Sequence, residues 1–400
     1  MIKKMIKREI KNNVYLIANI DWHRRLFDSL IPLPDGTSYN AYLIRGNDKT
    51  VLIDSADPTM RVEFMDQIAD IDRVDYIISN HTEQDHSGLI PAVIDKYPKA
   101  TVLASAKAVN MLVEHLAIAA DRIRAVNDGE ALDLGGKQLK FIYTPWVHWP
   151  ETMSTYLVED KILFSCDFFG SHMATSDLFV VDEGVVYEAA KRYYAEIMMP
   201  FRRIIGGNLE KLKSLEIDII APSHGPLYPK PAFIMNAYRD WVLGPPHNLV
   251  VIPFVSMHGS TAKMVSFLAD RLVESGVKVM PFDLAVTDLG KLAIALVDAA
   301  TIVIGTPTVH IGPHPAVSYA ASLANSLRPK AKFASIIGSY GWSSKAVETI
   351  AGMIPNLKME ILDTVLCKGL PRDPDFAALA GLAETIASRH KELELKQGAC

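Results

Sequence analysis

The second half of the chain alternates apolar strands with amphipathic helices, and this alternation limits the possible folds more than any other feature. An apolar run at residues 249–255 precedes a helical pattern at residues 261–275. Strands that are apolar on both faces and separated by helices are typical of a parallel sheet covered on both sides. The alternation continues to residue 390. Strands are predicted at residues 277–282, 301–304, 332–337 and 358–362, and the helices that follow them at residues 289–299, 318–327, 345–353 and 375–390. It predicts a doubly wound α/β domain at residues 246–400, with its ligand beyond the carboxyl ends of the strands.

The first half is less regular and predicts a different domain. Short β-type runs occur at residues 39–44, 51–54 and 76–79. Further strands are predicted at residues 141–144, 162–165 and 217–221, and helices at residues 106–116, 188–197 and 232–241. Because several strands precede the first helix, this half is mixed α/β rather than a βαβ series. Gly244 and two following prolines end the last helix, so we place the first domain at residues 1–245.

Composition excludes several classes of protein. A chain of 400 residues exceeds the usual size of one core, and 49% hydrophobic residues exclude intrinsic disorder. Forty-six acidic against 41 basic residues give a net charge of -5, which argues against a nucleic-acid partner. We expect no membrane span and no signal peptide, because the basic start lacks an apolar core. Three cysteines without a CxxC pair, Cys166, Cys367 and Cys400, indicate a reducing interior, so we expect a cytoplasmic protein.

The densest chemical signal is a run of four potential metal ligands within six residues. His81, Glu83, Asp85 and His86 follow directly after the predicted strand at residues 76–79. Imidazole and carboxylate groups rarely occur this close together by chance. The alternative interpretation is a solvated polar loop.

Three more polar residues follow predicted strands in the same way, namely His148, Asp167 and His224. Taken singly, they could be a packed histidine, a helix cap and a turn residue. If their strands run in one direction, all seven groups converge at one edge of the sheet. Seven ligands exceed the needs of one ion, so we expect two metals with a bridging carboxylate such as Asp167.

The ligand types indicate which metal is bound. Zinc hydrolases with this spacing use H-x-H-x-D-H, whereas the second histidine position is Glu83 here. A carboxylate in that place makes the site harder and more negative, which favours iron or manganese over zinc. The pattern therefore predicts redox chemistry rather than water activation.

Three loops of the second half suit a flavin. The first joins a strand to a helix and offers hydroxyls and free amides for a phosphate; it contains Ser256, Met257, His258, Gly259, Ser260 and Thr261. It lacks a phosphate-binding lysine and no G-x-G-x-x-G is present, so a monophosphate such as FMN fits better than ATP or a dinucleotide. A capped helix is the alternative. Two further loops provide hydroxyls and flat aromatic surfaces, at Pro307, Thr308 and Val309 and at Ser339, Tyr340, Gly341 and Trp342.

Together these motifs resemble the flavodiiron proteins (A-type flavoproteins, including rubredoxin:oxygen oxidoreductases and nitric oxide reductases). The similarity covers nearly the whole chain and includes Asp21-Trp22, residues 38–43, the motif at residues 81–86, residues 148–150, Asp167, residues 221–225 and the flavin loops. It implies an N-terminal metallo-β-lactamase-like αβ/βα sandwich that carries two irons. A flavodoxin-like domain that carries FMN would follow.

The resemblance also implies a role for each ligand. One iron would be held by His81, Glu83 and His148, and the second by Asp85, His86 and His224, with Asp167 bridging. The residue that matches His86 is not a ligand in every member of the family. Members form head-to-tail homodimers, so we expect a homodimer or a dimer of dimers. Tyr193 or Tyr194 could donate a proton, and His23 and His172 lie near the matched motifs.

The predicted function is reduction of dioxygen to water, of nitric oxide to nitrous oxide, or both. Because the 400 residues contain no rubredoxin-type cysteine pairs, we expect a separate electron donor, either rubredoxin or a reduced deazaflavin coenzyme. Two other functions remain open. One is a dizinc hydrolase with a regulatory second domain, and the other is a pure electron carrier with a vestigial metal pocket.

Overall fold

The computed structural model describes residues 7–395, so residues 1–6 and residues 396–400, among them Cys400, lie outside the described part of the chain. The chain forms two compact units. One contains Met1–Tyr194 and Phe201–Val242, and the other contains Ala195–Pro200 and Leu243–Cys400. Among residues 7–395, no helix combines the length and the apolar character that are needed to cross a membrane.

The first unit is built from short strands with helices between them. Its strands are β1 Arg8–Lys11, β2 Val14–Asp21, β3 Leu26–Phe27, β4 Ile31–Pro32, β5 Thr37–Arg45, β6 Thr50–Ile53, β7 Tyr76–Ser79, β8 Thr101–Ser105, β9 Ile123–Val126, β10 Ala131–Asp133, β11 Gln138–Tyr143, β12 Met153–Leu157, β13 Ile162–Cys166 and β14 Ile219–Pro222. Its helices are α1 Arg61–Gln67, α2 Gln84–Ser87, α3 Ile90–Lys96, α4 Ala108–Leu116, α5 Glu183–Tyr193, α6 Arg202–Leu212 and α7 Pro231–Leu243.

These strands form two main sheets that pack face to face. The seven-stranded sheet has the order β1-β2-β5-β6-β7-β8-β9, and the five-stranded sheet has the order β10-β11-β12-β13-β14. Buried side chains of both sheets, such as Ile53 and Phe164, belong to one apolar cluster. A second cluster joins the other face of the larger sheet to helices through residues such as Phe64 and Leu112. The unit is therefore a sandwich with helices outside.

Hydrogen bonds tie the two sheets together at one rim. The Asn40 side chain, from β5 of the larger sheet, donates to the carbonyl oxygens of Pro222 and Gly225 at the end of β14. Asn80, directly after β7, accepts at its carbonyl oxygen from the Met153 amide of β12. Because buried amide groups must be paired, these contacts fix the strand ends of one sheet against those of the other.

The second unit contains the predicted parallel sheet. Its strands are β15 His247–Phe254, β16 Lys278–Asp283, β17 Ala299–Val309, β18 Gly312–Pro313, β19 Phe333–Tyr340, β20 Glu360–Ile361 and β21 Val365–Lys368. Its helices are α8 Ser260–Glu274, α9 Leu289–Asp298, α10 Pro315–Leu327, α11 Ala346–Met353 and α12 Asp373–Glu392. The order is β16-β15-β17-β19-β20, and the neighbours on this path are parallel. The doubly wound architecture is confirmed.

Two differences from the sequence prediction have a clear structural cause. The fifth strand, predicted at residues 358–362, is reduced to β20, and a further strand that was not predicted, β21, follows it; both pair with β19. Between them the Asp363 carbonyl accepts a hydrogen bond from the Ser335 hydroxyl instead of joining the sheet. Helix α5 begins five residues earlier than predicted, because Asp182 caps it through the amides of Gly184 and Val185.

A buried histidine makes the stability of the second unit depend on pH. His390 of α12 lies 2.7 Å from the Thr301 hydroxyl and 2.8 Å from Asn248 Oδ1. Burial lowers the pKa of His390 to about 4. The folded state therefore binds this proton more weakly than the unfolded state does. As far as His390 determines it, the free energy of unfolding is therefore highest above the unfolded pKa of about 6.5 and decreases as the pH falls toward 4.

We predict that His390→Gln removes part of this pH dependence. The substitution removes one buried hydrogen bond and lowers the free energy of unfolding by about 1–3 kcal/mol at pH 8. Urea unfolding at pH 8 and pH 5 would show a smaller loss between the two values than in the wild type. The exposed His310→Gln serves as the matched control and should keep the wild-type loss. An unchanged pH dependence in His390→Gln would show that other groups cause it.

Candidate metal centre and flavin-type loops

The predicted metal ligands lie at strand ends of the first unit. His81 and Glu83 follow β7, and Asp85 and His86 lie on the one-turn helix α2. His148 lies between β11 and β12, Asp167 follows β13, and His224 follows β14. The prediction of one sheet edge is wrong, because β7 belongs to the seven-stranded sheet and β11, β13 and β14 to the five-stranded one. The groups meet where the rims of the two sheets are tied together.

One group of ligands surrounds Glu83. Its Oε2 atom lies 3.1 Å from His81 Nε2 and 2.9 Å from His148 Nε2. His81 is fully buried, and Glu83 is largely buried. Two imidazole nitrogens and a carboxylate at these separations can hold one metal ion.

A second group surrounds Asp85. Its Oδ1 atom lies 3.3 Å from His86 Nε2, and its Oδ2 atom lies 3.2 Å from His224 Nε2. All three side chains are almost completely buried. These residues can hold another ion.

Asp167 lies between the two groups and faces each with a different oxygen. Its Oδ2 atom is 3.5 Å from Nε2 of both His81 and His148. Its Oδ1 atom is 3.0 Å from His86 Nε2 and 3.4 Å from His224 Nε2. A carboxylate in this position can bridge two ions.

The buried polar atoms at this centre are better suited to binding metal ions than to hydrogen bonding with one another. Both carboxylate oxygens of Asp85 and of Asp167, and His86 Nε2, are buried without a properly oriented hydrogen-bond partner within residues 7–395. Leaving such groups unpaired is costly. With the imidazoles in the neutral form that binds a metal, the three carboxylates carry a negative charge that two divalent cations would compensate.

The pKa values reflect the mutual pairing of these acids and imidazoles. Burial alone would lower the pKa of His224, but contacts with Asp167 and Asp85 raise it to about 10. Burial would raise the pKa of Asp167, yet the nearby His86 and His224 hold it well below the usual range. The Asp167 carboxylate is therefore charged and available as a ligand.

Each buried imidazole is also held at its other ring nitrogen. His81 Nδ1 lies 2.7 Å from Glu151 Oε1, and His224 Nδ1 donates to the Ser38 carbonyl at 2.7 Å. His86 Nδ1 has the Cys166 thiol at 3.8 Å. Such partners orient metal-binding histidines. Sequence reasoning missed Glu151, whose only signal was its place three residues after His148.

Asp54 supports the loop that carries the first ligands. It follows β6, is buried, and accepts a hydrogen bond at 2.8 Å from the Asn80 amide. Burial raises its pKa to about 6. The sequence analysis did not identify it, because its partner lies on the neighbouring strand.

The two tyrosines predicted as proton donors have different surroundings. Tyr193 is buried with its ring centre 5.8 Å from that of His224 and 4.8 Å from that of His172. The Tyr194 hydroxyl donates to the Trp241 carbonyl of α7 at 3.3 Å. His172 is buried beside the centre, whereas His23 is exposed. The structure therefore brings Tyr193 and His172 to the site.

The predicted flavin loops lie at the carboxyl ends of three strands in the second unit. The loop after β15, residues 256–261, leads into α8, where the Ser256 hydroxyl accepts from the Ala262 amide. Gly259 has φ +87°, and the space around it is open. Pro307, Thr308 and Val309 lie at the end of β17, and Ser339, Tyr340, Gly341 and Trp342 lie at the end of β19 or just beyond it. Because β15, β17 and β19 are neighbours, the loops are brought together, and Thr261 Oγ1 lies 3.4 Å from Ser339 Oγ.

Comparison with known proteins identifies close relatives. Residues 37–225 match the model of a family described as ODP family beta lactamase. The chain is 35% identical over 393 residues to a nitric oxide reductase of Moorella thermoacetica, covering 95% of this chain and 98% of the relative. It is 32% identical over 374 residues to a coenzyme F420H(2) oxidase of Methanothermobacter marburgensis, covering 90% and 92%.

Solved structures agree with this result. The rubredoxin oxygen:oxidoreductase of Desulfovibrio gigas superposes with a TM-score of 0.93 at 28% identity, covering 97% of this chain and 99% of that one. A flavodiiron protein of Giardia intestinalis gives 0.91 at 27% identity, covering 98% of both chains. The predicted combination of a β-lactamase-like and a flavodoxin-like domain is confirmed.

The geometry predicts an asymmetric response to removal of single carboxylates. Asp85→Asn should leave one metal ion per chain, because Asp85 pairs with His86 and His224, which belong to one of the two groups. Asp167→Asn should lose both ions, because Asp167 faces both groups. Elemental analysis after anaerobic iron loading and gel filtration would measure the two contents. The exposed Asp177→Asn is the control and should retain two ions. Equal losses in Asp85→Asn and Asp167→Asn would contradict the bridging position.

Proposed function

The chain belongs to the flavodiiron protein family, and from this premise we propose that it is an oxidoreductase with FMN and a diiron centre. It takes electrons from a separate donor and reduces dioxygen to water, nitric oxide to nitrous oxide, or both. When bound, FMN accepts and transfers the electrons, and the iron pair supplies the site of oxidant reduction. The protein side chains hold these groups, orient them and shield them from water.

The seven clustered side chains are the proposed iron ligands. His81, Glu83 and His148 would hold one iron and Asp85, His86 and His224 the other, with Asp167 bound to both. The proposal is supported by the distances around Asp167, whose two oxygens face different pairs of imidazoles. This shared carboxylate is the observation that carries the functional assignment.

The ligand set favours iron over zinc. Three of the seven ligands are carboxylates, and Glu83 lies where a dizinc hydrolase would have an imidazole. Hard, anionic oxygen ligands stabilise a ferric ion. The hydrolase alternative also leaves the flavin-type loops without a role.

The three loops of the second unit would bind FMN. Ser256, Ser260 and Thr261 provide hydroxyls at the start of α8, where free amides also favour the phosphate. Tyr340 is partly buried and Trp342 is exposed, so their rings are available to stack on the flavin. Pro307, Thr308, Val309, Ser339 and Gly341 complete the proposed pocket, with Met257, His258 and Gly259 at its rim.

We expect the electron donor to be a small redox protein or coenzyme. The relatives named above include a rubredoxin oxygen:oxidoreductase and a coenzyme F420H(2) oxidase, so rubredoxin and reduced deazaflavin coenzyme are the two candidates. Cys166 and Cys367 are free and buried, which fits a reducing, cytoplasmic location.

A rim of exposed apolar side chains around the flavin loops supports the proposed homodimer. Every strand end in this region is followed by one such residue, 42% to 84% exposed: Met257, Val286, Ile311, Trp342 and Leu370. Exposed apolar side chains grouped at one end of a sheet are typical of a protein interface. A second copy of the chain, arranged head to tail, would cover this rim and place each flavin beside the partner's metal centre.

The proposed activity can be tested by reoxidation of the photoreduced, iron-loaded protein in a stopped-flow instrument. We expect reoxidation faster than that of free FMN with dioxygen, with nitric oxide, or with both, and the faster oxidant identifies the preferred one. Asp167→Asn should still be photoreduced but should react no faster than free FMN. Asp177→Asn should behave as the wild type does.

Two outcomes would contradict this function. The first is wild-type reoxidation no faster than that of free FMN with either oxidant. The second is a preparation that holds two zinc ions per chain and no flavin, which would favour the hydrolase. Rapid reoxidation of Asp167→Asn would show that the metal centre is not the site of reduction.

The apolar rim predicts which substitutions dissociate the dimer. Val286→Glu places a charge in the proposed interface, whereas Val273→Glu places one on an exposed residue in the last turn of α8. Light scattering after gel filtration should give the mass of one chain for Val286→Glu and of a dimer or larger assembly for Val273→Glu, with equal FMN contents. A Val286→Glu variant that remains dimeric would show that the rim is not the interface.

A further inference from the structure

Glu151 is a buried carboxylate that lies outside the seven proposed ligands. A single oxygen, Oε1, lies 2.7 Å from His81 Nδ1 and accepts hydrogen bonds from the Thr82 amide at 3.1 Å and the Thr82 hydroxyl at 2.8 Å. Its side chain is completely buried. A charge in such a place is costly unless it is fully engaged, so this carboxylate needs its contacts to His81 and Thr82.

The backbone of Glu151 is held as firmly as its side chain. Its carbonyl oxygen accepts a hydrogen bond at 2.6 Å from the hydroxyl of Ser105, the last residue of β8. Strand β8 pairs with β7, the strand that leads to His81. The loop that carries Glu151 is therefore fixed to the same sheet as the histidine that it contacts.

The chemistry of this contact determines the state of His81. A carboxylate only accepts hydrogen bonds, so the proton of a neutral His81 must be on Nδ1. Its lone pair is then on Nε2, the atom that faces Glu83 and Asp167. An anionic partner at Nδ1 also makes the imidazole a stronger electron donor toward a metal.

The other buried histidines of the centre have weaker partners at Nδ1. His224 donates to a neutral carbonyl, that of Ser38, and His86 has only a thiol at 3.8 Å. Of the three histidines compared, His81 is thus the one with a carboxylate at Nδ1.

We propose that Glu151 is a positioning residue that fixes the tautomer of His81, strengthens its bond to iron and lowers the reduction potential of the diiron centre. This inference rests on the proposed iron site, but it does not depend on which oxidant is reduced. It predicts an effect on iron binding and on potential that is separate from turnover.

Glu151→Gln is the direct test. The side chain keeps its size but loses its charge, so the protein should fold and bind FMN as the wild type does. Competition between the protein and a ferrous chelator should show a loss of about 10–100-fold in Fe(II) affinity. Spectroscopic redox titration should show a higher potential for the irons and an unchanged potential for FMN, because removal of a nearby negative charge favours the ferrous state.

Thr82→Val distinguishes orientation of His81 from simple support of the loop. It removes the hydroxyl that donates to Glu151 and leaves the contact between Glu151 and His81 in place. We expect a lower Tm with unchanged iron affinity and potential. If Thr82→Val reproduces the changes of Glu151→Gln, the carboxylate only supports the loop and the proposal is wrong.

A second variant covers the case in which Glu151→Gln does not fold. Glu151→Asp keeps the buried charge but withdraws it from His81 by one methylene group, so iron affinity should fall by a smaller factor. Wild-type affinity and potential in the glutamine variant, or wild-type affinity in a folded aspartate variant when the glutamine variant is unfolded, would overturn the proposal. A wild type that binds two irons but reduces neither oxidant would refute the proposed function alone.

Discussion

Three carboxylates are buried among four imidazoles, and the architecture of the first unit is organised around this concentration of charge. Asp85, Asp167 and Glu83 lie in a region from which water is largely excluded. Burial of unpaired charge is among the most costly arrangements in a protein, so the pocket requires either mutual pairing or cations. The unsatisfied oxygens of Asp85 and Asp167 indicate that pairing among the side chains is incomplete.

The ligands come from two sheets, so their separation depends on how the sheets are joined. Asn40 and Asn80 connect the strand ends across the rim through backbone groups. Glu151 adds a link from the loop before β12 to the histidine after β7. The apolar cluster between the sheets provides most of the driving force for packing, and these polar links determine the register at which the ligands meet.

Motifs and elements that depend on residues close together in the sequence could be predicted from local sequence patterns. The ligands of residues 81–86 follow one strand and are close together in the sequence. The strand–helix alternation after residue 249 is sufficient to predict a parallel sheet. Glu151 and Asp54 were missed because their partners lie on other strands, and nothing in the local sequence distinguishes them from surface acids. The expectation of a single sheet edge failed for the same reason, since periodicity predicts strands but not the sheet to which each belongs. The break between β20 and β21 depended on a side chain of the neighbouring strand, Ser335.

The two proposed iron positions are not electrostatically equivalent, and this follows from the groups behind the ligands rather than from the ligands. On one side, His81 is backed by the anionic Glu151. On the other side, His224 is backed by a neutral carbonyl and His86 by a thiol. Since an anion behind an imidazole makes it a better electron donor, the first position should hold a ferric ion more strongly than the second. With Asp167 between unequal positions, the first ion would be held firmly, whereas the second would have a more weakly fixed ligand, His86. The sequence gives both positions similar ligands, so this asymmetry arises only from the fold.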